Sequence, residues 1–242
     1  MKSKNNIAMK SYIHEIVEKM KGNEYKELNW DFTFNLTNES DRGAILIGGS
    51  KVEKYLEELI ITILPSKLKT TKPRLLNYPG PLSSFSGKVE LAYAFRLIDS
   101  KLYSSLSSLR KIRNDAAHSS SLYSLQKSKD QLESIYDFEY KVPDIVHKLA
   151  YDNLIKWKRM SIKKNFEENN LTDLDEKKFF EERYPNPLEN EDILKQLLIW
   201  ELAYGLTFLC MKIKILTQEY SLIQMSNGIW LDKCSDINKG EP

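Results

Sequence analysis

Apolar residues in this chain recur three and four positions apart almost from end to end, and that is the period of an α-helix. Alternating apolar and polar runs, which would mark half-buried strands, are nearly absent. The nine glycines and eight prolines are few for 242 residues and they cluster, so they punctuate the helices instead of interrupting them. A hydrophobic share of 41% beside 29% charge is enough for a real core. The expectation is an all-α fold: a helical bundle with a helical C-terminal extension.

The periodic segments can be placed one by one. Met9 to Lys21 is a short amphipathic helix with Tyr12, Ile16 and Met20 on one stripe. Leu36 to Leu64 reads as one long helix stopped by Pro65, and its Gly43, Ala44, Gly48 and Gly49 leave room for another helix to approach closely. Ser66 to Pro81 is a connector containing Pro73, Pro79, Gly80 and Pro81. A helix from about Ser84 to Leu97 follows, with the serines of "GPLSSFSGK" as N-cap chemistry. That stretch lacks the Walker spacing, so it is no nucleotide loop. Asp99 is the expected N-cap of a helix over Ser100 to about His118. Further helices are expected at 124–137, 143–169, 174–183 and 190–220, interrupted by Pro143 and "RYPNPLEN", with an irregular tail from Ser226. The division is a helical core over 1–125, a helical extension over 126–225 that packs on or beside it, and a tail over 226–242.

Several function classes are disfavoured by composition. A net charge of +2, from 36 basic and 34 acidic residues, is not that of a polybasic nucleic-acid binder, so contact with RNA needs a local patch. Cys210 and Cys234 are too few for a disulfide framework or a zinc site, and no His/Cys cluster suggests a metal or other cofactor. The apolar run from Ala203 to Ile215 is broken by Lys212 and Lys214, and the first twenty residues do not form a signal peptide; the expected compartment is the cytoplasm, away from membranes. His14 and His147 stand alone and read as surface or interface residues.

Chemistry concentrates in "LRKIRNDAAHS", Leu109 to Ser119. With Leu109 at zero on a helical wheel, Leu102, Leu106, Ile112 and Ala116 fall within about 60° and define the packing side. Arg113 falls at about 40°, inside that sector, whereas Arg110, Asn114 and His118 form a second, polar line. An arginine there keeps its proton and must be neutralised by a carboxylate, carbonyls or a bound anion. The weak helix formers Asn114 and Asp115 and the serines after His118 suggest that the helix frays or ends here, which would let His118 swing nearer Arg113. Two roles fit. Arg113 can belong to a structural ion pair with His118 favoured at a helix C-terminus. Alternatively, Arg113 supplies a phosphate fork and His118 moves protons, with Asn114 as orienting group, in metal-free RNA cleavage. The basic run Lys156, Trp157, Lys158 and Arg159, with Lys163 and Lys164, is the best local cationic patch for an RNA backbone, or else a solvated helix face.

"RNDAAH", Arg113 to His118, resembles the R-x4-H signature of the HEPN superfamily. That resemblance implies an α-helical, often dimeric, metal-independent endoribonuclease of the toxin or antiphage kind, with Arg113, Asn114 and His118 at its site. "NESDRGAILIGGSKVEKYLEELI" and "GPLSSFSGKVELAYAFRLIDSKLYSSLSSLRKIRNDAAHS", in that order, are also similar to the mannitol operon repressor family over residues 33–125. Arg96 stands where that family usually has glycine. This second resemblance implies an all-α regulator that works through protein–protein contacts without a DNA-reading motif. It also makes Glu39 and Asp41 the best candidates for the carboxylate needed by Arg113 or Arg110, with Arg42 adding to an anion site. Glu39 to Arg42 can equally be a local capping and salt-bridge cluster. The implied partners are RNA, a second copy of the chain, and an antitoxin or regulatory protein.

Overall fold

A computed structural model describes residues 30–64, 71–119, 122–170 and 175–226. Among them are nine α-helices and no strand. The helix read over Met9 to Lys21 and the tail after Ser226 lie outside the described residues.

The first two helices correct the reading of Leu36–Leu64 as one element. α1 spans Trp30–Thr37 and α2 spans Asp41–Ile63. Between them Ser40 is extended, and its hydroxyl accepts the Gly43 N–H at 3.1 Å, so serine chemistry starts a new helix where the apolar spacing looked continuous. The connector is also less irregular than expected, because Thr71–Leu76 forms a short helix, α3.

α4 is Phe85–Ala94, capped by Ser84 as anticipated, but it stops three residues before the expected end at Leu97. The Leu97 N–H turns back to the Ala92 carbonyl at 2.8 Å and the Arg96 N–H to the Tyr93 carbonyl at 2.9 Å. This is a Schellman closure with Arg96 at the left-handed position, φ 57°. Glycine is the usual residue there, and a side chain costs about 1 kcal/mol.

α5 is Ser100–His118, with the Asp99 carboxylate accepting the Leu102 N–H at 2.8 Å. A 3₁₀ turn at Leu125–Ser128 leads into α6, Lys129–Tyr136. α7 covers Val142–Glu168, α8 Glu176–Arg183 and α9 Glu191–Ser226. Pro143 lies in the first turn of α7, where the expected helix over 143–169 begins, because a proline there removes an N–H that would have no helical partner.

α2 is the central member. α9 packs along one side of it and also touches α1, α6 and α7, while α5 packs against α2, α4 and α6. Successive glycines make both approaches possible. A β-carbon on Gly48 would lie 2.3 Å from Leu206 Cδ1 of α9, and one on Gly49 would lie 3.0 Å from Arg113 Cδ of α5. The close approach expected of these glycines is therefore present, with a different neighbour for each. One apolar cluster runs from Leu36 to Ile213, so the segments before and after residue 125 share a core. α9 is long and apolar enough to cross a membrane, yet 83% of its most apolar window is buried inside the protein, as in a core helix.

Candidate functional site

The packing face of α5 lies where the wheel put it: Leu102, Leu106, Leu109, Ile112 and Ala116 are buried. Arg113 follows them inward and meets a carboxylate, although not the expected one. Its Nη1 donates to Glu53 Oε2 of α2 at 2.7 Å, its Nη2 reaches Ser50 Oγ at 3.3 Å, and the guanidinium lies 5.7 Å from the Phe85 ring centre. The other Glu53 oxygen accepts from Lys88 Nζ at 3.0 Å, and Lys88 also pairs with Glu57 at 2.7 Å. Lys88 is buried, so two carboxylates and two cations form one chain of charge across α2, α4 and α5. Burial lowers the Lys88 pKa, but the hydrogen bonds and charges of Glu57 and Glu53 outweigh it and the pKa ends above the ordinary lysine value of 10.5. A raised lysine pKa contributes stability that is fully present below the unfolded value and is lost as pH climbs through the folded one. We therefore expect urea stability to fall above about pH 10.5, and to fall less steeply in Lys88→Met.

Glu39 and Asp41 are not the partners of Arg113 or Arg110. They stand at the N-terminal end of α2, about three helical turns below Glu53. Asp41 Oδ2 accepts the Leu125 N–H at 2.8 Å, and Arg42 Nη2 donates to the Ser119 carbonyl at 2.8 Å. The two side chains thus clamp the end of α5 and the turn beyond it. Arg110 donates to Ser86 Oγ at 2.6 Å and lies 3.5 Å from Glu90, both on α4. Glu53 was readable in principle: Gly49, Glu53 and Glu57 follow one another at spacing four, on the stripe that faces α5. Inside "SKVEKYLEEL" they look like ordinary solvent charge.

Of fraying or ending, the structure shows an ending. α5 stays helical to His118, and the Ser119 N–H closes it on the Asp115 carbonyl at 3.0 Å. His118 is thus about 140° around the axis and about 7.5 Å along it from Arg113. Asn114 and His118 are exposed, and their side chains make no hydrogen bond to another described residue. With Arg110 they edge the outer surface of α5, where Ser86, Ser108, Arg110, Lys111 and Asn114 line an open groove of about 590 Å³.

The basic run on α7 is split by the helix. Lys158 pairs with Asp192 of α9 at 2.8 Å, and its hydrogen bond draws the Asp192 pKa down. Arg159 lies 4.9 Å from the Phe180 ring centre of α8, and Trp157 packs against the core. Lys164 pairs with Glu168 one turn on, while Lys156 and Lys163 are exposed. Lys158 and Arg159 therefore dock α8 and the start of α9, which reduces the patch to scattered lysines.

His147 has a partner that its isolation in sequence concealed. Its Nδ1 is 2.5 Å from Glu201 Oε1 of α9, at the edge of a cavity of about 400 Å³ that also reaches Tyr136. Burial, and after it the Glu201 charge, push the Tyr136 hydroxyl pKa well up. Among the described residues no group of three or more His, Cys, Asp or Glu side chains is placed to hold a metal. No protein-family model, no curated protein and no solved structure matches this chain.

Proposed function

We propose that the chain is a HEPN-type, metal-independent endoribonuclease that acts as a homodimer in the cytoplasm, as a toxin or antiphage effector held in check by an antitoxin or regulatory protein. The observation that carries this reading is the divided fork of Arg113. Glu53 fixes Nη1, while Nη2 has only a long, exposed contact with Ser50, an edge that a phosphate oxygen can take over. The side chains of Asn114 and His118 are exposed on the same helix, without partners among the described residues. In the reaction, His118 takes the proton of a ribose 2′-hydroxyl, the 2′-oxygen attacks phosphorus, and the bond to the 5′-oxygen breaks as that oxygen receives the proton from the His118 imidazolium. The products are a 2′,3′-cyclic phosphate and a 5′-hydroxyl end. Arg113 neutralises the charge on the phosphoryl oxygens, and Asn114 orients the ribose. The 140° between Arg113 and His118 on one helix is the reason for a dimer: Arg113 of one copy and His118 of a second can converge on one phosphate.

The test is incubation of the purified protein with mixed cellular RNA and a chelator. Cleavage is expected to survive chelation and to drop at least about a hundredfold in His118→Ala and in Arg113→Ala. A second reading has its own support. The chain Arg113–Glu53–Lys88–Glu57 satisfies the arginine with no ligand at all, as suits a non-enzymatic regulator that works through protein contacts. Intact RNA with folded protein at high concentration selects that reading and rejects the nuclease.

A further inference from the structure

The left-handed conformation of Arg96 has no return within the fold. The Schellman closure of α4 needs only backbone there, and glycine would supply it without strain. The side chain is exposed and has no hydrogen bond, ion pair or ring contact with another described residue. Its backbone, by contrast, is held firmly, because the Tyr220 hydroxyl of α9 donates to the Arg96 carbonyl at 2.9 Å. A strained residue that is fixed at the backbone and idle at the side chain marks a site at which the side chain is used.

What surrounds it gives the chemistry. Arg96 lies on the rim of an open cavity of about 740 Å³ between the end of α4, the start of α5 and α9. Leu97, Leu102 and Leu216 give the cavity apolar surface, and Tyr93 and Tyr220 are aromatic walls. The Tyr93 ring stacks on Tyr103, with ring centres 4.4 Å apart and planes at 26°, so one face is supported while 42% of the residue stays exposed. The other charges are occupied: Lys212 pairs with Glu139 at 3.1 Å, and the Asp99 carboxylate caps α5. A flat ring can lie against an aromatic wall over an apolar floor, and a guanidinium at the rim takes an anion attached to that ring.

We propose that this cavity binds a nucleoside phosphate, with the base against Tyr93 and the phosphate on Arg96. The same chemistry belongs to a free nucleotide and to one unit of a single-stranded RNA. The site is independent of Arg113 and His118 and holds whether or not the protein cuts RNA.

Binding is measured on the full chain with AMP, UMP, adenosine, inorganic phosphate and a short 2′-O-methyl oligoribonucleotide, which has no 2′-hydroxyl to react. AMP and UMP should bind at least tenfold more tightly than adenosine or inorganic phosphate. Binding should fall at least tenfold in Arg96→Gly and in Tyr93→Ala, and should be partly kept in Arg96→Lys. Arg96→Gly should also raise the melting temperature, by about 2–4 °C, so its loss of binding cannot come from unfolding. Binding of the oligoribonucleotide alone, lost in Arg96→Gly, supports the site with its nucleotide in a strand. The proposal is overturned if no nucleotide probe binds, if inorganic phosphate binds as tightly as the best nucleotide probe, if Arg96→Gly binds like wild type, or if that variant melts lower.

Discussion

Glu53→Ala should lower the unfolding free energy by about 3 kcal/mol, read as a shift of the urea midpoint at unchanged slope. The size follows from what the substitution leaves behind. Glu53 pairs with both Arg113 and Lys88, and its removal strips Arg113 of its carboxylate and Lys88 of one of two. Lys88 keeps Glu57, which holds the loss to the lower end of the range for a broken buried pair. Lys88→Met should behave differently. It removes the most buried charge, leaves Glu53 satisfied by Arg113, and leaves Glu57 at the solvent edge, so the change should stay within about 1 kcal/mol. A Glu53→Ala variant as stable as wild type would mean that the charge chain does not hold α2, α4 and α5 together. The same variant bears on the proposed activity, since Arg113 without Glu53 loses its fixed orientation.

How much of this was legible in sequence depended on whether the information lay within one helix or between two. The α5 wheel needed only local spacing, and it placed the five buried apolar residues and the inward arginine correctly. Asp99 and Ser84 were readable as caps because a cap acts on an amide three residues away. Ser40 acts by the same chemistry, within the segment Glu39 to Arg42 that also reads as a capping cluster, but the apolar spacing on both sides of it continues without a gap and hides the break. The identity of the carboxylate on Arg113 was not local at all. It depends on α2 and α5 crossing at Gly49, and Glu53 lies 60 residues from Arg113. Whether α5 frays or ends after Asp115 was hidden for a similar reason. Arg42 and Asp41, distant in sequence, clamp Ser119 and Leu125 and support the last turn against the poor propensity of Asn114 and Asp115.

Two features of the candidate site therefore come from the fold and not from the motif. Arg113 is oriented by α2, and the end of α5 is kept rigid by the first turn of that same helix. This gives "DRG" and "RNDAAH" a shared physical role: one fixes the presentation of the other. It also means that His118 is exposed at a helix end held in place from α2.

A close contact between α9 and α6 yields the second large effect. A β-carbon on Gly205 of α9 would lie 2.4 Å from Tyr136 Cδ1, with Cγ and Cε1 at 3.1 and 3.2 Å. Tyr136 is buried on α6, and the atoms the methyl would meet belong to the root and near edge of a rigid ring, not to the end of a flexible chain. Gly205→Ala in a helix interior would normally gain about 1 kcal/mol in propensity. Here overpacking outweighs that gain, and a net loss of about 2 kcal/mol is expected. The sign should reverse in a Tyr136→Ala background, where the added methyl meets the space vacated by the ring and the propensity gain returns. The double-mutant cycle should then give a coupling of about 3 kcal/mol between the two positions. Additive effects would show that α6 and α9 do not meet face to face at Gly205, and would remove the wedge that sets the path of the longest helix through the core.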